Sequence, residues 1–255
     1  MARIGSRAAL FGLLVAICAG LGGCSLFFGQ SVKLPPVSTE TVEYYPRQVK
    51  GYQGSYPPRR ILILPTVDAR EFKDSSAIDH APGADGNPQI GVVLDHNRVI
   101  QRVYGPAIGP LAQQALAASA EEAGLLPALS GDSLEAVLRK TNVQYALTSK
   151  LVRCWVKKER GTDTRLGPTW ATSAEFRVEV AIYKPPFHTP FWQGASVATY
   201  DDPPLTNFAA GPENDTSIYD EPGQVLSVAL TRAIAGVFRR SDLHSLIVED
   251  IVMPR

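Results

Sequence analysis

The sequence predicts an α+β domain: a mainly antiparallel sheet with helices packed on one face. Three observations lead to that class. Residues 172–183 (TSAEFRVEVAIY) alternate strictly. Ala174, Phe176, Val178, Val180 and Ile182 face one way, and Glu175, Arg177 and Glu179 the other. Such a period of two is that of a half-exposed antiparallel strand. A second long run of strand character, residues 143–158 (VQYALTSKLVRCWVKK), precedes it across a segment with two Gly and a Pro, GTDTRLGP at 161–168, which predicts a connecting loop. The order of elements read along the chain is β-α-α-β-β-β-α, with too few helices for crossovers between parallel strands.

The chain opens on an export segment, residues 1–23. Arg3 and Arg7 are its charges, and no acid precedes Glu40. Residues 8–21 (AALFGLLVAICAGL) form an apolar run of signal-peptide length, too short to span a bilayer comfortably. The run ends in Leu21-Gly22-Gly23-Cys24, which resembles the lipobox of bacterial lipoproteins. That resemblance implies lipidation of Cys24 and cleavage before it, and Ser25 after the Cys implies the outer membrane. A single acyl chain anchors only marginally at about 0.8 kcal/mol per buried CH₂, whereas several on one Cys hold permanently.

Residues 24–59 read as a lipidated Cys and a tether, with Pro35-Pro36, Pro46 and Pro57-Pro58 and no helical period. Tyr44, Tyr45, Tyr52 and Tyr56 leave a second reading open, in which they pack on the folded body or a partner.

The folded body is expected over 60–255 as a single domain. Ile61-Leu62-Ile63-Leu64 is a continuous apolar run, hence a buried strand ending at Pro65. Residues 71–104 are a polar insertion with short strands at 90–94 and 99–103. A helix follows Pro106, burying Ile108, Leu111, Ala112, Ala115 and Leu116 and ending at Gly124. Asp132 is the expected N-cap of a short helix burying Leu134, Val137 and Leu138. After the two long strands come a third at 191–199 and a helix capped by Asp220, with Leu226, Leu230, Ala233, Ile234 and Val237 on its inner face.

Composition excludes several functions. Residues 1–23 carry two Arg and no acid, so the remainder has 23 basic and 25 acidic residues, a net −2. That near-balance offers no footprint for nucleic acid. Cys18 leaves with the signal and Cys24 is lipidated, so Cys154 has no disulfide partner. His80, His96, His188 and His244 are scattered without metal-ligand spacing, and no phosphate loop or dinucleotide fingerprint occurs. No cofactor is expected.

The strand ILILPTVDAR, the two long middle strands, Phe191-Trp192-Gln193-Gly194 and the C-terminal helix together resemble the YajG-like lipoproteins. More distantly they resemble CsgG-type and transport-auxiliary modules. The resemblance covers about residues 60–240. It implies a non-enzymatic module, facing the periplasm, that binds another envelope component, with no catalytic residue to carry across. Asp68 and Arg70 then have a strand-end role, a carboxylate accepting turn N–H groups and an Arg stem lying on the sheet.

The alternative is a GDSL/SGNH-type esterase. Gly131-Asp132-Ser133-Leu134 spells its motif, Asn214 sits in a block resembling the oxyanion donor, and Asp242 and His244 resemble the base pair. Ser133 would attack, His244 take the proton, Asp242 orient it and Asn214 bind the oxyanion. Two residues separate Gly211 from Asn214 where the motif has one. One separates Asp242 from His244 where it has two. The motif also falls far into the domain, and inside a helix cap its four letters arise cheaply. Trp155, Trp170 and Trp192 could form a glycan surface, and Arg153, Lys157, Lys158 and Arg160 could touch lipid headgroups. Core packing and a solvated strand end account for both sets.

Cys24→Ala should abolish incorporation of labelled palmitate and leave an uncleaved precursor. Normal labelling of that variant would refute the lipobox.

Overall fold

One strand, carrying the run at 143–158, organises the sheet. The structure is a computed structural model that describes residues 37–45, 59–70, 87–140, 142–165, 167–202, 221–240 and 243. Its elements are β1 (Val37–Thr39), β2 (Arg60–Ile63), β3 (Val67–Asp68), β4 (Gln89–Asp95), β5 (Arg98–Tyr104), α1 (Ile108–Glu122), β6 (Leu126–Leu129), α2 (Leu134–Leu138), β7 (Tyr145–Thr164), β8 (Gly167–Tyr183), β9 (Trp192–Asp202) and α3 (Pro222–Phe238).

β7 is paired along both edges. On one side β8 runs antiparallel to it from Ala146↔Tyr183 to Thr164↔Gly167, so the loop expected at 161–168 is largely absorbed into the ladder. On the other side, β2, β3 and β4 take successive lengths of β7, all parallel. β2 also pairs in parallel with β6, and β1 with β5, while β4–β5 and β8–β9 are antiparallel. The sheet is therefore mixed, which corrects the mainly antiparallel expectation. Neighbours in sequence made the hairpins readable, but nothing local signals that Ile61 meets Tyr145 or that Gly91 meets Val156. The parallel β2–β6 pair is joined through α1, as a crossover requires. Pro127 disguised β6 as a weak strand, yet proline is tolerated at a sheet edge, which β6 forms.

The helices also depart from the single-face expectation. Ile61, Ile63, Tyr145 and Leu147 join α1 and α3 in the main core. The intervening residues, Leu64 and Ala146, point the other way and pack with Val137 of α2, with Leu62, Leu134 and Tyr183 at the margin. Helices thus lie on both faces. The apolar run at 61–64 is continuous because β2 is covered above and below, where a half-exposed strand would alternate.

Two local devices set the register of β7. Its pairing shifts between Leu151 and Arg153, so the inward residues change from odd (Tyr145, Leu147, Leu151) to even (Cys154, Val156). A bulge of this kind bends a long strand without breaking its ladder. Gly91 lets β4 come close, since a Cβ there would stand 2.2 Å from the Val156 carbonyl oxygen. The β4–β5 turn is made by His96 and Asn97, both at positive φ, the geometry of a two-residue primed turn.

α1 ends as expected, with Gly124 at φ 85. In α3, Pro222 stands at the first turn and Glu221, not Asp220, is the cap residue, with no side-chain bond; Asp220 lies outside the described residues. Leu226, Leu230, Ala233 and Ile234 are fully buried, at about 1.5–3 kcal/mol for each large side chain.

Residues 37–45, part of the stretch read as tether, lie against this body. β1 extends the sheet beside β5, and the Glu40 N–H continues the ladder to the Tyr104 carbonyl. Beyond it Val42 is 3% exposed, and Tyr44 packs against the core while its hydroxyl meets Glu122 at 3.3 Å. The N–H groups of Glu43 and Tyr45 donate to Ser227 and Thr231 on α3. Gly223 permits this approach, because a Cβ there would lie 2.4 Å from the Thr41 carbonyl oxygen.

Val42→Ala should therefore lower stability by about 2 kcal/mol in urea unfolding, and deleting residues 1–45 should cost more. A deletion as stable as the parent would show that this strap contributes nothing.

Candidate functional site

With α1 and α3 on one face and α2 over the Ala146–Tyr183 end of the other, the rest of the outward face of β7–β8–β9 carries no described helix. Its side chains follow from strand parity: Thr148 and Lys150 on β7, Glu179 and Ala181 on β8, and Gln193 and Ala195 on β9. These six line an open groove of about 540 Å³ beside Tyr183. Further along, the face is laced with ion pairs, Arg153–Glu175 at 3.3 Å, Lys157–Glu159 at 2.6 Å and Arg177–Glu179 at 3.2 Å. Exposed pairs of this kind contribute about 0–1 kcal/mol each, so they set charge pattern more than stability. Val197 on β9 is a 53% exposed apolar side chain of this face. Sequence reading missed the groove because Gln193 and Ala195 look like ordinary outward positions; only the stacking of three strands makes a depression of them.

A second hollow of about 460 Å³ lies on the helix side, lined among others by Ser38, Glu40, Ile100, Lys158, Trp170 and Pro222.

The residues singled out by sequence fall as follows. Cys24, Asn214, Asp242 and His244 lie outside the described residues. Ser133 is the N-cap of α2, its hydroxyl accepting the Ala136 N–H at 3.3 Å, which corrects the assignment of that cap to Asp132. Asp132 instead accepts hydrogen bonds from Lys140 and from the Ser130 hydroxyl, which hold its carboxyl below the ordinary carboxylate range.

The four basic residues divide by strand parity. Arg153 and Lys157 are outward and paired as above, whereas Lys158 lines the helix-side hollow and Arg160 bonds Asp95 and Asp163. The three Trp residues do not gather. Trp155 faces outward, Trp192 is 6% exposed under Arg240, and Trp170 lies against the core near the far end of β8. Arg70 grips Asp68 with Nε and Nη2 at 2.8 and 2.7 Å, and Asp68 also accepts the Arg70 N–H, so the pair closes the end of β3. Cys154 is buried, and burial pushes its thiol up to about 12, far from a reactive thiolate. Among the described residues no three His, Cys, Asp or Glu side chains gather as metal ligands would.

The fold and face define a mixed α/β domain with one partly open sheet surface. No family model matches the chain, and no curated protein matches it. Among solved structures it is similar to XCC0632 of Xanthomonas campestris, a DUF330 protein, at 11% identity and TM-score 0.45, covering 85% of this chain and 99% of that one. It is also similar to PelC of Paraburkholderia phytofirmans, a dodecamer, at 14% identity and TM-score 0.34, covering 75% and 93%. Lipoprotein GNA1162 of Neisseria meningitidis follows at 11% identity and TM-score 0.29, covering 76% and 99%. Likenesses of this size carry neither function nor partners to this chain.

Ser133→Ala should cost about 1 kcal/mol for the lost cap, and Asp132→Ala less, since its ion pair is exposed. The Asp132 carboxyl is depressed in the folded state, so its contribution is present above the ordinary carboxylate pKa and disappears as falling pH protonates it. Urea unfolding at neutral pH and in acid checks both. An Asp132 effect undiminished in acid would contradict the ion-pair role.

Proposed function

We propose that this chain is a lipid-anchored lipoprotein of the cell envelope, held at the outer membrane through Cys24, facing the periplasm. Its folded part acts as a non-catalytic binding or scaffold module for another envelope protein. One observation carries the binding reading: the outward face of β7–β8–β9, with its groove between Thr148, Ala181 and Gln193, opposite the helix-covered core. An amphipathic sheet needs one face for its core; the other is free to meet a partner, and shallow grooves with a few convergent polar groups suit recognition. The anchor reading rests on the sequence, on the charged start, the apolar run and Leu21-Gly22-Gly23-Cys24. The YajG-like resemblance supports the same kind of module.

The esterase alternative needs Ser133 as a nucleophile activated by a base. Its hydroxyl is engaged in accepting the Ala136 N–H, which supports a capping role.

A photo-crosslinking residue placed at Thr148 or Gln193 should give a discrete adduct with another envelope protein in intact cells, while the same residue at exposed Glu121 of α1 should not. The purified chain should neither react with a fluorophosphonate probe nor turn over short-chain nitrophenyl esters. Probe labelling of Ser133 together with ester turnover lost in Ser133→Ala would overturn the proposal, as would equal cross-linking from both faces.

A further inference from the structure

β9 is the longest strand at an edge of the described sheet, and over residues 192–200 it carries none of the charges, prolines or bulges that normally keep such an edge from pairing. Its ladder with β8 runs without a register shift from Thr172↔Asp202 to Ile182↔Trp192, and among the described residues it pairs with no other strand. Residues 192–200 (WQGASVATY) contain no charge and no proline. Exposed edges are ordinarily blunted by lysines, prolines, bulges or brevity, because their free N–H and C=O groups template another strand. The other edges here are blunted: β1 is three residues long, and β6 is four with Pro127 inside it. Among the described residues β9 has β8 as its one strand partner, and its middle is uncharged.

We infer that the occupant of this edge is β9 of a second copy, paired antiparallel about a two-fold axis at Val197. Three features make the strand complementary to itself. First, the Arg240 Nη1 reaches the Ala195 carbonyl at 3.4 Å, which marks the odd-numbered residues as those whose backbone groups point away from β8. A two-fold at Val197 sets Ala195 opposite Thr199 and Gln193 opposite Asp201, so each outward-pointing residue meets another. Pairing there exchanges the 3.4 Å contact of Arg240 to the Ala195 carbonyl for a backbone hydrogen bond.

Second, the side chain at the axis is Val197, which is 53% exposed in the single chain and meets its own copy in the pair. The residues flanking it, Gly194, Ala195, Ser196, Ala198 and Thr199, are small and do not obstruct the junction.

Third, the ends of the strand carry opposite charge. Arg240 lies 5.6 Å from the Trp192 ring at one end, and Asp201-Asp202 stand at the other. Antiparallel pairing brings the acidic end of each copy to the Trp192–Arg240 end of its partner. A parallel arrangement would set acid against acid. A second guanidinium, that of Arg232 on α3, stacks 4.8 Å from the Tyr200 ring, next to the acids of its own chain. The result is one sheet continuous through both copies, with the two grooves on the same outward face. The inference does not depend on the lipid anchor or on the identity of an envelope partner, and it goes beyond both.

The test uses the full chain in mild detergent, followed by sedimentation for protein mass. The parent should have the mass of two chains. Val197→Lys sets like charges against each other at the axis and should sediment as one chain, with far-ultraviolet dichroism unchanged because the side chain is 53% exposed in the single chain. Val197→Cys should oxidise to a covalent two-chain species. Neither the parent nor Val67→Cys, an equally exposed site on β3, should do so. A single-chain parent, any stoichiometry other than two, a Val197→Lys variant that keeps the two-chain mass, or equal cross-linking at Val67 would each overturn the inference.

Discussion

The fold depends on β7 being bonded along both of its edges. A strand of ordinary length could satisfy β8 and one further neighbour. At 20 residues, β7 is long enough to give β2, β3 and β4 separate parallel lengths of one edge while the other is occupied by β8. Every helix is then placed by a stretch of that strand. α1 and α3 cover the inward residues on either side of the register shift, and α2 covers the outward face where Ala146 breaks the polar pattern. The shift itself is necessary, because an unbroken alternation after Leu151 would turn Cys154 and Val156 to the wrong face.

Much of this was readable residue by residue, where the determining forces are local. The alternation at 174–182, the apolar spacing of α3, the stop at Gly124 and the hairpin arms around His96 and Asn97 depend on neighbours a few positions away. Parallel pairing is a different kind of fact. It joins Ile61 to Tyr145 and Val37 to Arg102, and it leaves no periodic trace in either partner. The clue that was present, an apolar run at 61–64 with no polar alternate, indicated two covered faces without naming what covers the second. The cap of α2 shows the limit at smaller scale. Asp132 and Ser133 are both good capping residues, and only the position of Lys140 one helix-length away draws Asp132 aside.

The groove was illegible for a related reason. Thr148, Ala181 and Gln193 are unremarkable in their own strands and gain meaning only from the registers Thr148↔Ala181 and Ala181↔Gln193, which set them side by side. Conversely, the features most conspicuous in the sequence have quiet structural roles. The GDSL letters begin a five-residue helix, and the tryptophans are dispersed by strand parity over two faces.

The strap at residues 37–45 has a consequence for the order of assembly. Its hydrogen bonds reach Ser227 and Thr231, residues separated from it by 184 and 186 positions. Contacts that close loops of that size form late, since the entropy of closure is met before the contact offers anything in return. A chain delivered from its N-terminus presents the strap before the rest of the sheet and α3 after it. The strap must therefore wait for most of the domain, and until it docks, the side of α3 around Gly223 and Ser227 and the edge of β5 lack its cover. In that interval the nascent domain offers an apolar cleft and an unpaired strand edge together, the combination that holding chaperones recognise.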